Sequence, residues 1–303
     1  MTGHLIHIGY PKTGTTFLRR WLAQHPQLAY AEGGIAGFRD AYSIVRDGAS
    51  QRTRPHYRVT SAEGLAIPHA SFGRDDIDYE SMQLSSIPAA QEEVCQSLAA
   101  LFPNAHILIV TRGFRSVILS GYSQYVRTGG DQSLASVCTM AGPQGQGVWN
   151  YDYLIRLYRR AFGETKVIVL PYELLRDDAA AFLRQIANRL GLAEIGVPTE
   201  RPNPSLSAIE LAWYPRLARR IRTLPVGLRG RRKARQVYLR AVMTNRLRTP
   251  IALLQRLSPM AAVTEALLPP DLMDGYRVFA TTLRDDPLYR PYARDYLFDS
   301  AIE

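Results

Sequence analysis

The stretch HLIHIGYPKTGTTFLRRWL, which spans His4–Leu22, joins a strand pattern to a helix pattern through a polar turn. Leu5–Gly9 is short and apolar, as a buried strand would be, and Thr15–Gln24 is predicted to be a helix because its apolar residues recur at helical spacing. In a parallel α/β sheet, ligands bind outside the carboxyl ends of the strands. The amino end of a helix at that edge favours an anion. The stretch therefore predicts an α/β fold with an anion cradle.

The turn differs from the Walker phosphate-binding loop, in which the lysine follows the last glycine. Here Lys12 precedes Gly14, and Thr15 and Thr16 follow it. Gly14 allows the backbone to approach a ligand closely, Lys12 adds a full positive charge, and the threonines add hydroxyl donors. We predict a phosphate-type site, with an ordinary strand-to-helix turn as the alternative.

The remaining pattern predicts a mainly parallel sheet, because strands alternate with helices. Further strands are expected at Tyr57–Leu65, where the pattern stops near Ser61, and at Ala105–Arg112 and Lys166–Leu170. The predicted helices are Ser86–Phe102, Phe114–Val126, Val148–Phe162 and Asp178–Leu190, the last one closed by Gly191. Ala29–Gln51 receives no assignment, and strands stop after about Gly196.

This order predicts a three-layer α/β sandwich, with a P-loop-like nucleotide-binding core and a helical C-terminal part. We expect one domain over residues 1–303. Its core would cover about 1–207, and a helical, arginine-rich extension would cover about 208–303.

The composition is that of an ordinary globular protein, with 46% hydrophobic and 21% charged residues. No run of about 18 uncharged apolar residues and no secretory signal pattern appear. The two cysteines, Cys95 and Cys138, are predicted to be buried free thiols. We expect a cytoplasmic location from these features.

The net charge of +10 favours anionic partners such as nucleotides, charged glycans or anionic lipid. The segment 216–248 is dense in arginine. Three interpretations are open for it: a solvated helix face, a site for an anionic acceptor, or contact with the surface of a membrane.

A second candidate phosphate site follows the predicted strand at Ala105–Thr111. Arg112 stands at the end of this strand, and Ser120 comes eight residues later, two turns along the next predicted helix. A guanidinium with a nearby hydroxyl can bind a second phosphate. Arginines at strand ends are common, so Arg112 and Ser120 indicate a phosphate site only in combination with the cradle.

These two motifs resemble those of the sulfotransferases that use 3′-phosphoadenylyl sulfate (PAPS). YPKTGTTFLRRWL resembles their 5′-phosphosulfate-binding motif, and VTRGFRSVILSGY resembles their 3′-phosphate-binding motif. KVIVLPYELLRDD followed by FLRQIANRLGL is similar to a later strand and helix of the family. The resemblance covers about residues 4–207. It implies PAPS as co-substrate, adenosine 3′,5′-bisphosphate (PAP) as product, and no requirement for a metal.

The resemblance assigns roles to individual residues. The 5′-phosphate and sulfuryl group would be bound by Lys12, Thr13, Gly14, Thr15 and Thr16, and the 3′-phosphate by Arg112 and Ser120. Tyr172 would touch the nucleotide, with packing at a strand end as the alternative. RPNPSLS, at Arg201–Ser207, resembles a loop that closes over the nucleotide in bacterial and Golgi-type members, so Ser205 or Ser207 would contact a phosphate.

The acceptor is expected to be a hydroxyl on a carbohydrate or glycolipid. The late R-K-G-x-x-G-D-W-K-N segment of the cytosolic animal enzymes is absent, which argues against a phenol or steroid. We expect the residues that shape the acceptor pocket in 31–57, in 71–83 and in the C-terminal helices.

The resemblance also implies a general base, either His or Glu, near the end of the second predicted strand. That region reads VTSAEGL, and Glu63 is our first candidate. Glu32 is the second candidate and His69 the third. Lys12 would stabilise the charge that develops on the leaving phosphate.

Two other functions are compatible with parts of the sequence. A nucleotide kinase with a variant P-loop would need a G-K-[ST] motif and an acidic residue at a strand end, where this chain has Arg112. A non-catalytic module that binds PAP or an anionic polymer is the other alternative. Nucleic acid is not expected as a partner, because the arginine-rich segment lacks interleaved stacking aromatics.

Overall fold

The computed structural model describes residues 2–50, 54–68, 87–139, 147–199 and 205–298. They divide into two compact units. The first lies within Met1–Gly113, Gln144–Pro202 and Tyr276–Glu303, and the second within Phe114–Pro143 and Asn203–Gly275. The prediction of one domain with a C-terminal extension stays a prediction.

Within the described residues of the first unit, five strands form a parallel sheet in the order β2-β3-β1-β4-β5. The strands are β1 (Gly3–His7), β2 (Leu28–Tyr30), β3 (Tyr57–Ser61), β4 (His106–Thr111) and β5 (Val167–Pro171). The first strand of the chain is therefore the middle strand of the sheet, between β3 and β4.

The helices, in chain order, are α1 (Thr15–Gln24), α2 (Ala41–Ser50), α3 (Ile87–Leu101), α4 (Phe114–Arg127), α5 (Tyr151–Phe162), α6 (Tyr172–Asp177), α7 (Ala179–Leu190), α8 (Ala208–Arg222), α9 (Leu228–Met243), α10 (Arg248–Leu257) and α11 (Pro270–Tyr276). Residues 134–139 are also helical. Short 3₁₀ turns occupy Glu63–Leu65, Gly147–Trp149, Glu164–Lys166, Glu265–Leu267, Thr281–Leu283 and Arg290–Tyr292.

The sheet is buried on both of its faces. Leu5 and Ile6 are neighbours on β1 and point to opposite faces, and both are fully buried. Leu5 belongs to a core cluster with Trp21 of α1 and Phe182 of α7. Helix α5 also packs on strands β4 and β5. This arrangement explains why the strands read as continuous apolar runs rather than as alternating ones.

The structure confirms the predicted α/β class and the parallel sheet with flanking helices. Helix α1 has the predicted bounds. The other predicted strands and helices occur within a few residues of the expected positions, although a 3₁₀ turn precedes α5. The chain has no strand after 196 among the residues that the structure describes. Cys95 and Cys138 are buried and free, as expected.

The unassigned stretch Ala29–Gln51 holds most of β2 and all of α2. β2 lies at the edge of the sheet and has only three residues, which are too few to give a periodic signal. For α2, a local signal was present: the Ser43 N–H donates to Asp40 Oδ1 at 2.8 Å, as in an N-cap. The short helix α6, which begins at Tyr172 directly after β5, was not predicted either.

The second unit is helical and contains a buried acidic residue, Glu210. Glu210 accepts hydrogen bonds from the Ser207 N–H and the Tyr214 hydroxyl, and Arg248 lies 3.1 Å from its Oε1. Ser207 and Glu210 together form a capping box at the start of α8. These bonds fix how α8 begins and how α10 lies against it. Among the described helices, none is both long and apolar enough to span a bilayer.

Candidate functional site

The sheet order brings three chain segments to one edge of the first unit. The segments that follow β1, β3 and β4 all start at carboxyl ends of adjacent parallel strands. They carry Lys12, Glu63 and Arg112 respectively. This is the edge at which α/β sheets bind ligands.

The cradle, residues 9–16, has an unusual backbone. Lys12 has φ 68° and Gly14 has φ 80°, so two residues of the turn are left-handed. Such turns are one way in which successive backbone N–H groups form a concave anion-binding nest. Gly14 is also the N-cap of α1, and no described side chain caps the helix there. The first N–H groups of α1 are consequently suited to an anionic ligand.

The three threonines of the cradle differ in their surroundings. The Thr13 hydroxyl donates to the Tyr10 carbonyl at 2.7 Å, so it stabilises the turn itself. Thr15 is buried and Thr16 is exposed. Direct contact of all three hydroxyls with a phosphate stays a prediction, and Thr16 is the one with an open side chain.

Arg112 links the end of β4 to the cradle. Its Nη1 donates to the Lys12 carbonyl at 2.5 Å, and its guanidinium carbon lies 4.4 Å from the centroid of the Tyr172 ring. A Cβ placed on Gly14 would lie 3.3 Å from the same ring. Lys12, Gly14, Arg112 and Tyr172, which were predicted separately from the sequence, are therefore neighbours. Their binding roles stay predictions.

A buried tyrosine holds the backbone of Arg112. The Tyr151 hydroxyl donates to the Arg112 carbonyl at 2.6 Å and accepts from the Arg112 N–H at 3.2 Å. Tyr151 is fully buried, and its ring meets Tyr10 edge to face at 5.2 Å. A single side chain thus satisfies both backbone groups of the residue at the strand end.

A chain of hydrogen bonds lies beside this contact and ends at a buried carboxylate. Thr111 Oγ1 lies 2.8 Å from the hydroxyls of both Tyr289 and Tyr296. Tyr296 donates to Glu173 Oε2 at 3.0 Å, and the Gly113 N–H donates to Glu173 Oε1 at 3.0 Å. The hydrogen bonds can all be donated in one direction, from Tyr289 to Thr111, from Thr111 to Tyr296 and from Tyr296 to Glu173. Bonds in such a chain strengthen one another in a buried setting.

Glu173 is the acceptor at the end of this chain and is fully buried. Burial raises the pKa of Glu173, whereas the hydrogen bonds from Gly113 and Tyr296 lower it. The sequence predicted no role for Glu173, Tyr289 or Tyr296. The C-terminal segment contains closely spaced tyrosines, which indicate that it packs against the rest of the protein. Their spacing does not indicate which strand they contact.

Glu63 lies just past β3, in the turn Glu63–Leu65, as the prediction required. Its Oε1 is 4.0 Å from Arg19 Nη2, and Arg19 Nε donates to Ser61 Oγ at 3.4 Å. Ser61 in turn lies 2.8 Å from Nδ1 of His7. Burial, with Arg19 nearby, lowers the pKa of His7 to about 3, so this imidazole is neutral at pH 7. Glu63 is thus linked to His7 on β1, the middle strand of the sheet, through Arg19 and Ser61.

Glu32 follows β2 and lines a cleft of about 1230 Å³ between α1, β2 and α2. Thr16 of the cradle lines the same cleft, whereas Glu63 does not. Arg19 lines it as well and is 4.0 Å from Glu63. Arg19 therefore lines the cleft together with Glu32 and also pairs with Glu63. The third candidate, His69, lies outside the described residues, as do 71–83.

Three further predicted site residues, Ser120, Ser205 and Ser207, belong to the second unit. Ser120 is buried on α4, the helix on which it was expected. Ser205 is exposed, and Ser207 uses its hydroxyl to cap α8 by accepting from the Glu210 N–H at 3.2 Å. Their contacts with a nucleotide stay predictions, and Arg201 lies outside the described residues.

The comparisons with known proteins identify the family of the chain. A model of the sulfotransferase family matches residues 5–195, which is more than half of the chain. The chain belongs to the sulfotransferase family. This membership supports sulfotransfer as its reaction.

Two solved structures show how far the likeness extends. A sulfotransferase from Alicyclobacillus acidocaldarius is 18% identical, with a TM-score of 0.47, over 67% of this chain and 87% of that one. The mouse sulfotransferase SULT7A1, solved with PAP, is 14% identical, with a TM-score of 0.35, over 64% of this chain and 61% of that one. No curated protein matches the chain.

The geometry of the cradle leads to a prediction with two glycines. We expect Gly14→Ala to destabilise the protein more than Gly191→Ala. Both residues have positive φ, at 80° and 62°, so each alanine should cost about 1–2 kcal/mol of backbone strain. At Gly14 the new methyl would also overlap with Leu175 Cδ2, whereas nothing lies within 4 Å at Gly191.

The free energies of unfolding of the two variants, from urea titrations monitored by circular dichroism, check this expectation. Gly191→Ala is the matched control for the backbone term. Equal losses in the two variants would contradict the close packing that we describe around the cradle.

Proposed function

We propose that the protein transfers the sulfuryl group of PAPS to an acceptor hydroxyl, most simply on a carbohydrate or glycolipid. The acceptor oxygen forms a bond to sulfur while the bond from sulfur to the 5′-phosphate oxygen breaks. The electron pair of that bond goes to the phosphate oxygen, and a glutamate takes the acceptor proton. The products are a sulfate ester and PAP. The observation that carries the proposal is the contact between the Arg112 guanidinium and the Lys12 carbonyl.

The donor would lie along the carboxyl edge of the sheet in the first unit. Backbone N–H groups at the start of α1 would bind the 5′-phosphate, because a helix amino end favours an anion. Lys12 would stabilise the charge that grows on the leaving oxygen. Arg112 would bind the 3′-phosphate. No metal is assigned a role in this scheme.

Stabilisation by nucleotides tests the donor site. We expect PAP at about 100 times its Kd to add about 2.7 kcal/mol to the free energy of unfolding, measured as a melting shift. ADP should give a much smaller shift, since it lacks the 3′-phosphate. Arg112→Ala should weaken PAP binding about tenfold or more, because a hydrogen bond to a charged group is lost.

Arg189→Ala is the control for this test, since Arg189 is exposed on α7. It should keep the full response to PAP. A shift with ATP and Mg²⁺ but none with PAP would contradict the proposal and favour a kinase.

The general base is proposed to be Glu63, with Glu32 as the second candidate. Glu63 follows β3 at the expected edge, and its Oε1 lies 4.0 Å from Arg19 Nη2. Glu32 is favoured by another observation, because it shares a cleft with Thr16 of the cradle.

Glutamine substitutions distinguish the two candidates. We expect the substitution of the true base to lower kcat about 10²- to 10⁴-fold while leaving the PAP-induced melting shift unchanged. The other substitution serves as its control and should retain most of the activity. Single-turnover assays with labelled PAPS would measure both, and near-normal rates for Glu63→Gln and Glu32→Gln together would exclude a glutamate base at either position.

We also propose a cytoplasmic location with peripheral contact to an anionic membrane surface through 216–248. On α9, the cations Arg229, Lys233 and Arg240 lie on the face opposite the buried Tyr238. Val237 is 69% exposed on the same helix. A helix face with cations and exposed apolar side chains suits an anionic bilayer surface.

Sedimentation with lipid vesicles tests this contact. We expect binding to vesicles that contain phosphatidylserine and none to neutral ones, with each removed cation weakening binding by about 1 kcal/mol. Arg229→Glu with Lys233→Glu should abolish it. Arg156→Glu with Arg189→Glu makes the same charge change on exposed helix positions of the first unit, and an equal loss there would contradict a specific role of α9.

A further inference from the structure

Among the residues that the structure describes, those that line the cleft beside the cradle include more positive than negative side chains. Its lining residues are Thr16, Arg19, Arg20, Ala23, Tyr30, Ala31, Glu32, Gly37, Arg39, Asp40, Tyr42, Ser43, Val45 and Arg46. Four arginines face two carboxylates in this set, which leaves an excess of two positive charges. A concave site lined mostly by one sign of charge concentrates the field and attracts the opposite charge.

One of the two carboxylates is already engaged in the local fold. Asp40 Oδ1 accepts the Ser43 N–H at 2.8 Å at the start of α2. Glu32 is the other, and it is a candidate for the base. Asp40 thus helps to start a helix, and Glu32 lies in the cleft that Thr16 of the cradle also lines.

The arginines come from three different elements. Arg19 and Arg20 are on α1, Arg39 is in the loop before α2, and Arg46 is on α2 itself. Arg39 is exposed, and its backbone N–H is fixed by the Ser43 hydroxyl at 3.1 Å. The guanidinium group matches the geometry of a carboxylate or sulfate, because it can donate two parallel hydrogen bonds.

The size and the apolar lining of the cleft also fit a particular kind of ligand. A volume of about 1230 Å³ exceeds the range of about 300–1,000 Å³ that is usual for small-molecule sites. Tyr42 lines it and is 87% exposed, which offers an aromatic face at the rim. An elongated acceptor such as an oligosaccharide could pack on that ring while its charged group meets the arginines.

We propose that this cleft binds the acceptor and selects one that already carries a negative charge, as a carboxylate or a sulfate ester, with Arg39 as a specificity-determining residue. The inference rests on the proposed function, because the acceptor hydroxyl must reach a sulfuryl group at the cradle. Thr16 provides the link, since it belongs to the cradle and lines the cleft.

Matched pairs of acceptors test the proposal. 4-Nitrophenyl β-D-glucuronide and its methyl ester have the same hydroxyl groups and differ only in the charge of the carboxyl. 4-Nitrophenyl β-D-glucoside 6-sulfate and the 6-O-methyl glucoside form the second pair, which distinguishes a sulfate ester from a carboxylate. We expect the charged member of at least one pair to have kcat/KM at least tenfold above that of its neutral partner.

Arg39→Ala should remove most of this preference by raising KM for the charged acceptor about tenfold to a hundredfold, since a charge-assisted contact is lost. KM for the neutral partner should not change. Arg189→Ala, which removes an exposed arginine outside the cleft, should leave both values unchanged. A lysine at position 39 should restore part of the preference, which a merely structural role would not predict.

Equal kcat/KM within both pairs, or turnover of neither pair, would overturn the proposal. The PAP-induced melting shift separates this failure from that of the proposed function. A protein that responds to PAP but ignores the acceptor charge refutes the inference on the cleft alone, whereas a protein that does not respond to PAP refutes the donor site.

Discussion

The position of β1 between β3 and β4 is the constraint on which the rest of the site depends. Hydrogen bonding on both sides of this strand fixes its register, with His7 opposite Ser61 of β3 and Leu108 of β4. The cradle therefore emerges between two other strand ends. β4 continues for three residues beyond Leu108, so Arg112 can reach back to the Lys12 carbonyl.

The stability of this edge comes from segments that are distant in sequence. Tyr151 of α5 satisfies both backbone groups of Arg112, and the C-terminal segment places Tyr296 between Thr111 and Glu173. Because these groups are buried, each would leave an unsatisfied partner if it were removed. Such an edge would position an arginine and a helix amino end in advance, as the proposed binding of two phosphates of one nucleotide requires.

The sequence indicated the parts of this site that depend on local pattern. The apolar runs, the turn around Gly14 and the helix after it predicted the cradle, and Arg112 was found because it directly follows an apolar strand. The edge strand β2 was missed because three residues carry no period. Tyr151, Tyr289 and Tyr296 could not be assigned, because their role depends on tertiary contacts across as many as 185 residues. The cleft that Glu32 lines could not be predicted for the same reason, since it depends on how α2 lies beside α1.

A crystal structure of the protein with PAP tests the central claim most directly. The account predicts the 5′-phosphate within hydrogen-bond distance of the backbone N–H groups of Gly14, Thr15 and Thr16, and the 3′-phosphate on the Arg112 guanidinium. Density for PAP at another place, with the cradle unliganded, would contradict the account. A nucleotide in the reversed orientation, with its 3′-phosphate on the cradle, would contradict the proposed direction of sulfuryl transfer.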